Sequence, residues 1–521
     1  SPKKEDLVYA GTDDGLVQMT EDGGATWRKV AAFAGVPEMT YVADLAPSPH
    51  EADVVYAAFD NHKRGDFRPH LLKSADRGRT WTSIAGDLPA RGTVYTVAED
   101  PKKPGLLYCG TEFGLFFSHD GGKKWLQLKG QMPVVNVRDL AIQEREDSLV
   151  AATFGRGFRV LDDLAPLRLS TPETLAKEAV LFPVRDAWAF IPRVPYGLKG
   201  KAFLGESFYA AENPPFGAVF TTYLKEELKG RRKARQDAEK EKAKKGEDVL
   251  YPTWEELRAE DREDEPRLLL TVTDETGNVV RRLTAAAKAG FARIAWDLRY
   301  PASNPTQLKE REESPWSPGP RGPMVVPGTY RVSLAKKVDG SVTPLGEPQA
   351  FQVVPLGAAT LGPVDRAAVL AFSKRTARVQ RAALGAVEAA KEARGRVDHL
   401  GKAILDTPAA GPEMLAEARR LNLALADLDV VLNGDSTLGK RNEPAHPGLV
   451  DRVQSVVYGH WSTTTAPTAT QEHEVAAAAT DLETALSTLR AIVKDLSSLE
   501  AKAEALGAPW TPGRIPVLPK D

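Results

Sequence analysis

Two carboxylates held a few ångströms apart across a groove can hydrolyse a glycosidic bond, one as acid and the other as base or nucleophile. This sequence offers three acids in loop-like stretches. Asp14 stands in Thr12-Asp13-Asp14-Gly15, Asp60 in Asp60-Asn61-His62-Lys63-Arg64, and Glu112 in Glu112-Phe113-Gly114. Cations accompany them: His62 and Arg64 beside Asp60, and Arg156 in Phe154-Gly155-Arg156. A ring of such groups could bind or cleave a polar ligand. The same stretches also read as plain polar turns, because Asp and Gly are common turn formers. Which reading holds depends on the elements that carry them.

Those elements are set by a repeat. The motif Ser/Thr-x-Asp-x-Gly-x-Thr-Trp occurs at Thr20–Trp27, Ser74–Trp81 and Ser118–Trp125, with Lys124 in place of Thr in the third copy. Each copy lies between two short apolar runs. It reads as a locked β-turn: the carboxylate of Asp22, Asp76 or Asp120 accepts backbone N–H groups across the turn, and a glycine takes the positive-φ position. The ring of Trp27, Trp81 or Trp125 is expected to be buried between neighbouring sheets. The flanking runs read as strands at Tyr41–Ala46, Val54–Phe59, His70–Ser74 and Thr80–Ile84 in one unit, and at Val94–Glu99, Leu106–Gly110, Leu115–Ser118 and Lys124–Leu128 in the next. Units of four short antiparallel strands are blades of a β-propeller. The first unit (Leu7–Tyr9, Leu16–Thr20, Thr26–Val30) and the last (Val137–Ile142, Ser148–Thr153, Gly157–Leu161) show three strands each. About three and a half blades do not close a ring of the usual four to eight. The expectation is therefore the C-terminal part of a longer propeller protein, completed by a missing propeller segment or another protein chain. In such a propeller the acids and cations above share one rim with the inter-blade loops.

These repeats, with Leu107–Leu115 and Ala152–Phe158, resemble bacterial BNR/Asp-box, sortilin-like propeller proteins, many of which are labelled glycosyl hydrolases. The resemblance implies an Ig-like domain and a helical region after the propeller, and a periplasmic or secreted location. It also implies that the Asp-box marks the fold and lies away from any catalytic face.

The remaining chain fits that plan. Residues 165–358 read as an Ig-like β-sandwich, with strands at Val180–Phe182, Ala187–Ile191, Val219–Leu224, Arg267–Asp274, Val279–Leu283, Gly290–Tyr300, Val326–Val332 and Ala350–Val354, and a doubtful one at Phe203–Gly205. A charged stretch, 225–265, interrupts it and reads as a solvated helical insertion. The Pro/Gly-rich loop 302–324 follows. Residues 359–521 carry apolar seams of long helices: Val369 to Ile404, Met414 to Leu432, and Leu482 to Ala503, the last after a Thr468/Gln471 capping box. His460 and Trp461, between the second and third seams, read as pocket-lining or simply as bundle packing. The fold class is thus multidomain β plus α: partial propeller 1–164, sandwich 165–358, helical bundle and tail 359–521.

Composition narrows the function. A net charge of −2 over 521 residues gives no general field for nucleic acid. The single cysteine, Cys109, forms no intrachain disulfide. No run of about 18 apolar residues suggests a transmembrane segment. No metal-ligand spacing, phosphate loop or nucleophile elbow stands out, so neither a metal nor a cofactor is expected. Two readings remain: a non-catalytic extracytoplasmic binding or scaffolding protein, possibly a subunit of a larger assembly, or a sialidase- or xyloglucanase-like glycoside hydrolase.

Overall fold

The computed structural model describes residues 1–130, 132–192, 211, 213–309, 319–357 and 364–518. Phe203–Gly205 and residues 310–318 of the proline-rich loop lie outside them. Two compact units result, one of residues 1–183, 221–229 and 287–292, the other of 184–220, 230–286 and 293–521.

In the first unit, four successive antiparallel meanders carry three, four, four and three strands, each paired in sequence order. This is the arrangement of a partial β-propeller. The first sheet is Val8–Gly11, Val17–Thr20 and Arg28–Val30. The second is Tyr41–Pro47, Val55–Asp60, His70–Ser74 and Thr82–Ser83. The third is Val94–Glu99, Leu107–Thr111, Gly114–Ser118 and Leu126–Gln127, and the fourth Val137–Gln143, Ser148–Thr153 and Phe158–Leu161. After the repeat turn the outermost strands are short, three residues in the first sheet and two in the second and third.

That turn is locked twice. Asp22 accepts the Thr26 N–H at 2.9 Å and its hydroxyl at 2.6 Å. Asp76 does the same with Thr80, at 2.8 and 2.6 Å. Asp120 accepts the Lys124 N–H at 2.9 Å, Lys124 having no hydroxyl to add. The second lock comes from the first residue of the motif: Thr20, Ser74 and Ser118 each accept a glycine N–H four residues on, at 2.8, 2.8 and 2.9 Å. Gly23 and Gly24, Arg77 and Gly78, and Gly121 and Gly122 all have positive φ.

The expectation that each motif Trp is buried between sheets holds in a graded way and fails for Trp27. Trp125 is buried and bonds the Ile84 carbonyl of the preceding sheet at 2.9 Å. Trp81 is half-buried against Val17, Met19 and Phe33. Trp27 is 48% exposed. Each ring packs on the sheet before its own, and none of the described sheets precedes the first.

The blades meet through small residues. Gly11 and Gly110 occupy matching places, each facing the inner strand of the next sheet. A Cβ on Gly11 would lie 2.5 Å from Val42, and one on Gly110 would lie 2.7 Å from both the Val137 carbonyl and its side chain. Beyond the fourth sheet the chain is pinned by a buried charge network. Arg168 donates to Asp100 at 2.8 Å and to Asp147 at 2.5 Å, and Tyr108 donates to Asp100 at 3.1 Å.

In the second unit a sheet runs in the order Ala187–Ala189, Gln349–Pro355, Gly328–Val338, Arg267–Asp274, Val279–Ala286, with Ser341–Pro344 attached to Gly328–Val338. The rings of Phe220, Trp296, Tyr330 and Phe351 pack into its core. The Ser341–Pro344 hairpin arm is not apparent in sequence, since all four residues are exposed and no apolar alternation marks it. The charged stretch forms helices Arg231–Lys244 and Trp254–Arg262, joined by Arg235–Glu260 at 2.5 Å. Long helices Arg366–Leu405, Pro412–Asn433 and Ala469–Ala505 bury their alanine and leucine seams together with a further helix, Leu449–His460. The Thr468/Gln471 capping box is formed. No helix is long and apolar enough to cross a membrane among the described residues.

Two predictions follow from the blades. Burial pushes the Asp76 carboxyl up, but bonds from Thr80, Ser74 and Arg79 outweigh it and hold the group at about 2. An unfolded Asp titrates near ~3.9. The stabilisation is therefore complete above that value and is lost as pH falls through about 2. Asp76→Asn should lower the thermal midpoint at pH 7, and the gap from wild type should close as pH falls from about 4 to about 2. Gly110→Ala should cost roughly 1–3 kcal/mol in urea unfolding, since backbone must move to admit the methyl group. A neutral result would refute the close approach.

A candidate ligand site on the propeller rim

The inner strands of the second, third and fourth sheets share an irregularity. Pairing slips by one residue between Val42 and Asp44, between Val94 and Thr96, and between Val137 and Asp139. The extra residues are Ala43, Tyr95 and Arg138. A bulge bends its strand and re-aims the side chain it carries, and bulges gather near functional sites. Here two successive bulges bring Tyr95 and Arg138 face to face, with the guanidinium 4.0 Å from the phenol ring centroid. Arg138 also lies 5.6 Å from the Phe154 ring, which is 70% exposed.

Of the residues singled out from sequence, the structure brings Asp60, His62 and Glu112 around this pair. The His62 ring meets Tyr95 edge-on at 6.4 Å. Asp60 and His62 close on each other, with Nδ1 2.6 and 2.8 Å from the two carboxylate oxygens and the His62 backbone N–H at 3.0 Å. Glu112 has one carboxylate oxygen, Oε2, buried with no hydrogen-bond partner among the described residues. Tyr95 registers the whole cluster. Burial pushes its phenol up, Asp60 and Glu112 add to that, and Arg138 with a bond from Asn136 pull it down.

The other candidates stand apart from this contact set. Asp14 is exposed and accepts the Thr12 hydroxyl within its own turn. Arg64 is exposed and donates to the Glu38 carbonyl at 3.2 Å. Arg156 is exposed at a turn tip. Sequence reasoning missed Tyr95, Arg138 and Asn136, which sit on or beside strands rather than in polar loops. It also missed Asp44, which crosses to the next sheet to accept the Thr96 hydroxyl and the Val97 N–H, both at 2.9 Å. Burial raises the Asp44 carboxyl despite these bonds. A separate hollow of about 280 Å³ in this unit is lined by Val36, Arg68, His70 and Ser83. Its charges are satisfied locally, because Asp66 accepts from both Arg68 and His70 at 2.9 Å.

No family model matches the chain. Over 139 residues it is 30% identical to the xyloglucanase Xgh74A of Acetivibrio thermocellus, covering 24% of this chain and 16% of that one. Over 66 residues it is 41% identical to a probable oligoxyloglucan-reducing end-specific xyloglucanase of Neosartorya fischeri, covering 12% and 8%. The chain thus spans about a sixth of the length of the first of these relatives. Among solved structures, the GH74 xyloglucanase of Xanthomonas campestris is 18% identical, covers 36% of this chain and 31% of its own, and superposes with a TM-score of 0.26. The chain is therefore similar to glycoside hydrolases of the xyloglucanase kind over about a quarter of its length.

The cluster predicts a titration signature. Arg138→Met should push the Tyr95 phenol further up, and Asp60→Asn should bring it back toward the ordinary value, read by NMR of ¹³C-labelled tyrosine. If neither substitution moves the Tyr95 titration, the groups do not share a site.

Proposed function

We propose that this chain is part of a non-catalytic, extracytoplasmic binding or scaffolding protein whose propeller rim takes a ligand on the Tyr95–Arg138–Phe154 face. The observation that carries this reading is the pair of successive bulges, which gives a rigid guanidinium-on-aromatic platform. Such surfaces hold polar ligands by stacking and by fixed donors. Against catalysis stands the state of the acids. Asp60 is tied up by His62, and Asp14 by Thr12. The division into propeller 1–164, Ig-like sandwich 165–358 and helical bundle 359–521 belongs to the same proposal, as do a periplasmic or secreted location and docking through the sandwich and helical surfaces. The exposure of Trp27, Phe158 and Val160 on the first and last sheets supports completion of the propeller by a further segment or another chain.

The second reading is a glycoside hydrolase with Asp60 and Glu112 as its acids. It is favoured by the similarity to xyloglucanases and by the unpartnered oxygen of Glu112. One experiment separates the two. The chain is incubated with xyloglucan, new reducing ends are counted, and binding of xyloglucan oligosaccharides is measured by calorimetry. Binding that Arg138→Ala weakens about tenfold or more, without new reducing ends, is the expected result. Release of reducing ends that Asp60→Asn or Glu112→Gln abolishes would overturn the non-catalytic reading.

A further inference from the structure

The second unit holds a cavity of about 70 Å³ whose wall combines apolar side chains with convergent donors. Ala189, Met324, Val326, Val369 and Leu370 supply the apolar part. Arg299 is the central polar residue. It follows Leu298, whose φ is +56°, and that kink is held by two cross-loop bonds, Tyr300 N–H to the Pro323 carbonyl and Val325 N–H to the Leu298 carbonyl, each 2.9 Å. The clamp places Arg299 only 5% exposed. Its guanidinium donates to the Gly322 carbonyl at 2.9 Å. Among the described residues no carboxylate forms an ion pair with it, the charge of Asp297 only favouring its protonated form, although arginine stays charged inside proteins. Asp297, on the same turn, takes the Arg299 backbone N–H at 3.2 Å.

Further polar groups line the same hollow. His460 ends the helix Leu449–His460 and is 2% exposed; the Thr465 backbone lies against its ring, and Nε2 is buried with no hydrogen bond of good geometry among the described residues. Its Nδ1 faces the Ser373 hydroxyl at 3.4 Å, and the tautomer that accepts there carries its proton on Nε2. The adjacent Trp461 has its indole N–H buried, with no hydrogen-bond partner among the described residues. Arg366 stands exposed on the lining, and the Thr463 and Thr464 side chains complete it. Buried polar groups left unpaired are costly, so several around one hollow mark a place where a ligand completes the bonding.

We propose that this cavity is a binding site for a short-chain organic carboxylate, its carboxylate on Arg299, Trp461 Nε1 and His460 Nε2, and its carbon chain against Val326, Val369 and Leu370. Size supports the class. One water needs about 15 Å³ of such space, so the cavity holds roughly five non-hydrogen atoms, the size of propionate. The apolar wall argues against a bare inorganic oxyanion, which would have to shed its hydration against valine and leucine.

The test uses the full chain and propionate, with sulfate as the competing probe. Propionate should shift the Trp461 indole N–H resonance and raise the melting temperature, saturably in the millimolar range. Arg299→Gln should abolish the binding measured by calorimetry. Trp461→Phe, which keeps the ring and removes only the N–H, should weaken it about tenfold. Sulfate should not displace propionate. If Arg299→Gln does not fold, the Trp461→Phe comparison decides. Absence of a propionate response, undiminished affinity in Trp461→Phe, or tighter binding of sulfate than of propionate would each overturn the assignment.

Discussion

The first unit depends on one steric constraint: successive sheets must approach until the inner strand of one lies against the second strand of the sheet before it. A side chain at the contact would hold them apart. Gly11, Ala58, Gly110 and Ala152 occupy the corresponding place in the four sheets, all small. The residue that fills the space from the far side is a valine, Val42 against Gly11 and Val137 against Gly110. Val42, Val94 and Val137 are buried, and each stands immediately before its bulge. Packing and site are therefore one device. The valine anchors the inner strand, and the extra residue after it is turned out of the ladder onto the rim. The side chain at that extra position is free to differ, and it does: Ala43, Tyr95, Arg138.

The same geometry explains what the sequence could and could not convey. The repeat turn announces itself because its chemistry is local. Asp22, Asp76 and Asp120 bond within six residues, and Gly24, Gly78 and Gly122 take a positive φ in all three copies. Strand ends such as His70–Ser74, Val94–Glu99 and Ser148–Thr153 were legible for the same reason, being bounded by turns of fixed composition. A bulge has no such signature. Tyr95 lies in Val94-Tyr95-Thr96-Val97, which reads as unbroken strand, and only the partner strand Leu107–Thr111 reveals the slip. Acids in loops drew attention because loops look polar, yet Asp14 and Asp60 spend their bonding locally. Trp27 shows the converse limit. Its motif is complete, but burial needs a sheet that packs on it, and that information is not local.

Helical seams were legible because a 3.6-residue period survives without knowledge of the partner. Leu421, Leu425, Leu428 and Leu432 fall on one face and are buried together. The helix Leu449–His460 was harder to see. It is short, and its start at Gly448 has no side-chain cap. Gly448 is there for packing, since a Cβ on it would lie 2.5 Å from Asn433 and Gly434 backbone atoms. Close passage of two helix ends thus replaces the capping residue that would have advertised the helix.

Two buried arginines separate structural charge from functional charge. Arg168 is almost fully buried and meets Asp100 and Asp147, with Lys102 balancing Asp147 at 3.0 Å. Its bonds hold it well above the ordinary arginine range even though burial acts against it. That is an ion-paired network, although Arg168 Nη2 has no hydrogen-bond partner among the described residues, and removing one member would strand the others at a cost of about 3–5 kcal/mol. Arg299 is equally buried and meets a carbonyl. Burial, with Arg321 adding repulsion, holds it below the ordinary range. Asp297 favours its charge from the same turn, but among the described residues no carboxylate forms an ion pair with it as Asp100 and Asp147 do with Arg168. The strained turn at Leu298 keeps it in place nonetheless. A fold that needed only a filler there would be better served by leucine or methionine, as buried ion groups commonly are. A buried guanidinium with no ion-pair partner among the described residues, beside the buried Trp461 and His460 nitrogens and an apolar wall, suits the proposed carboxylate ligand.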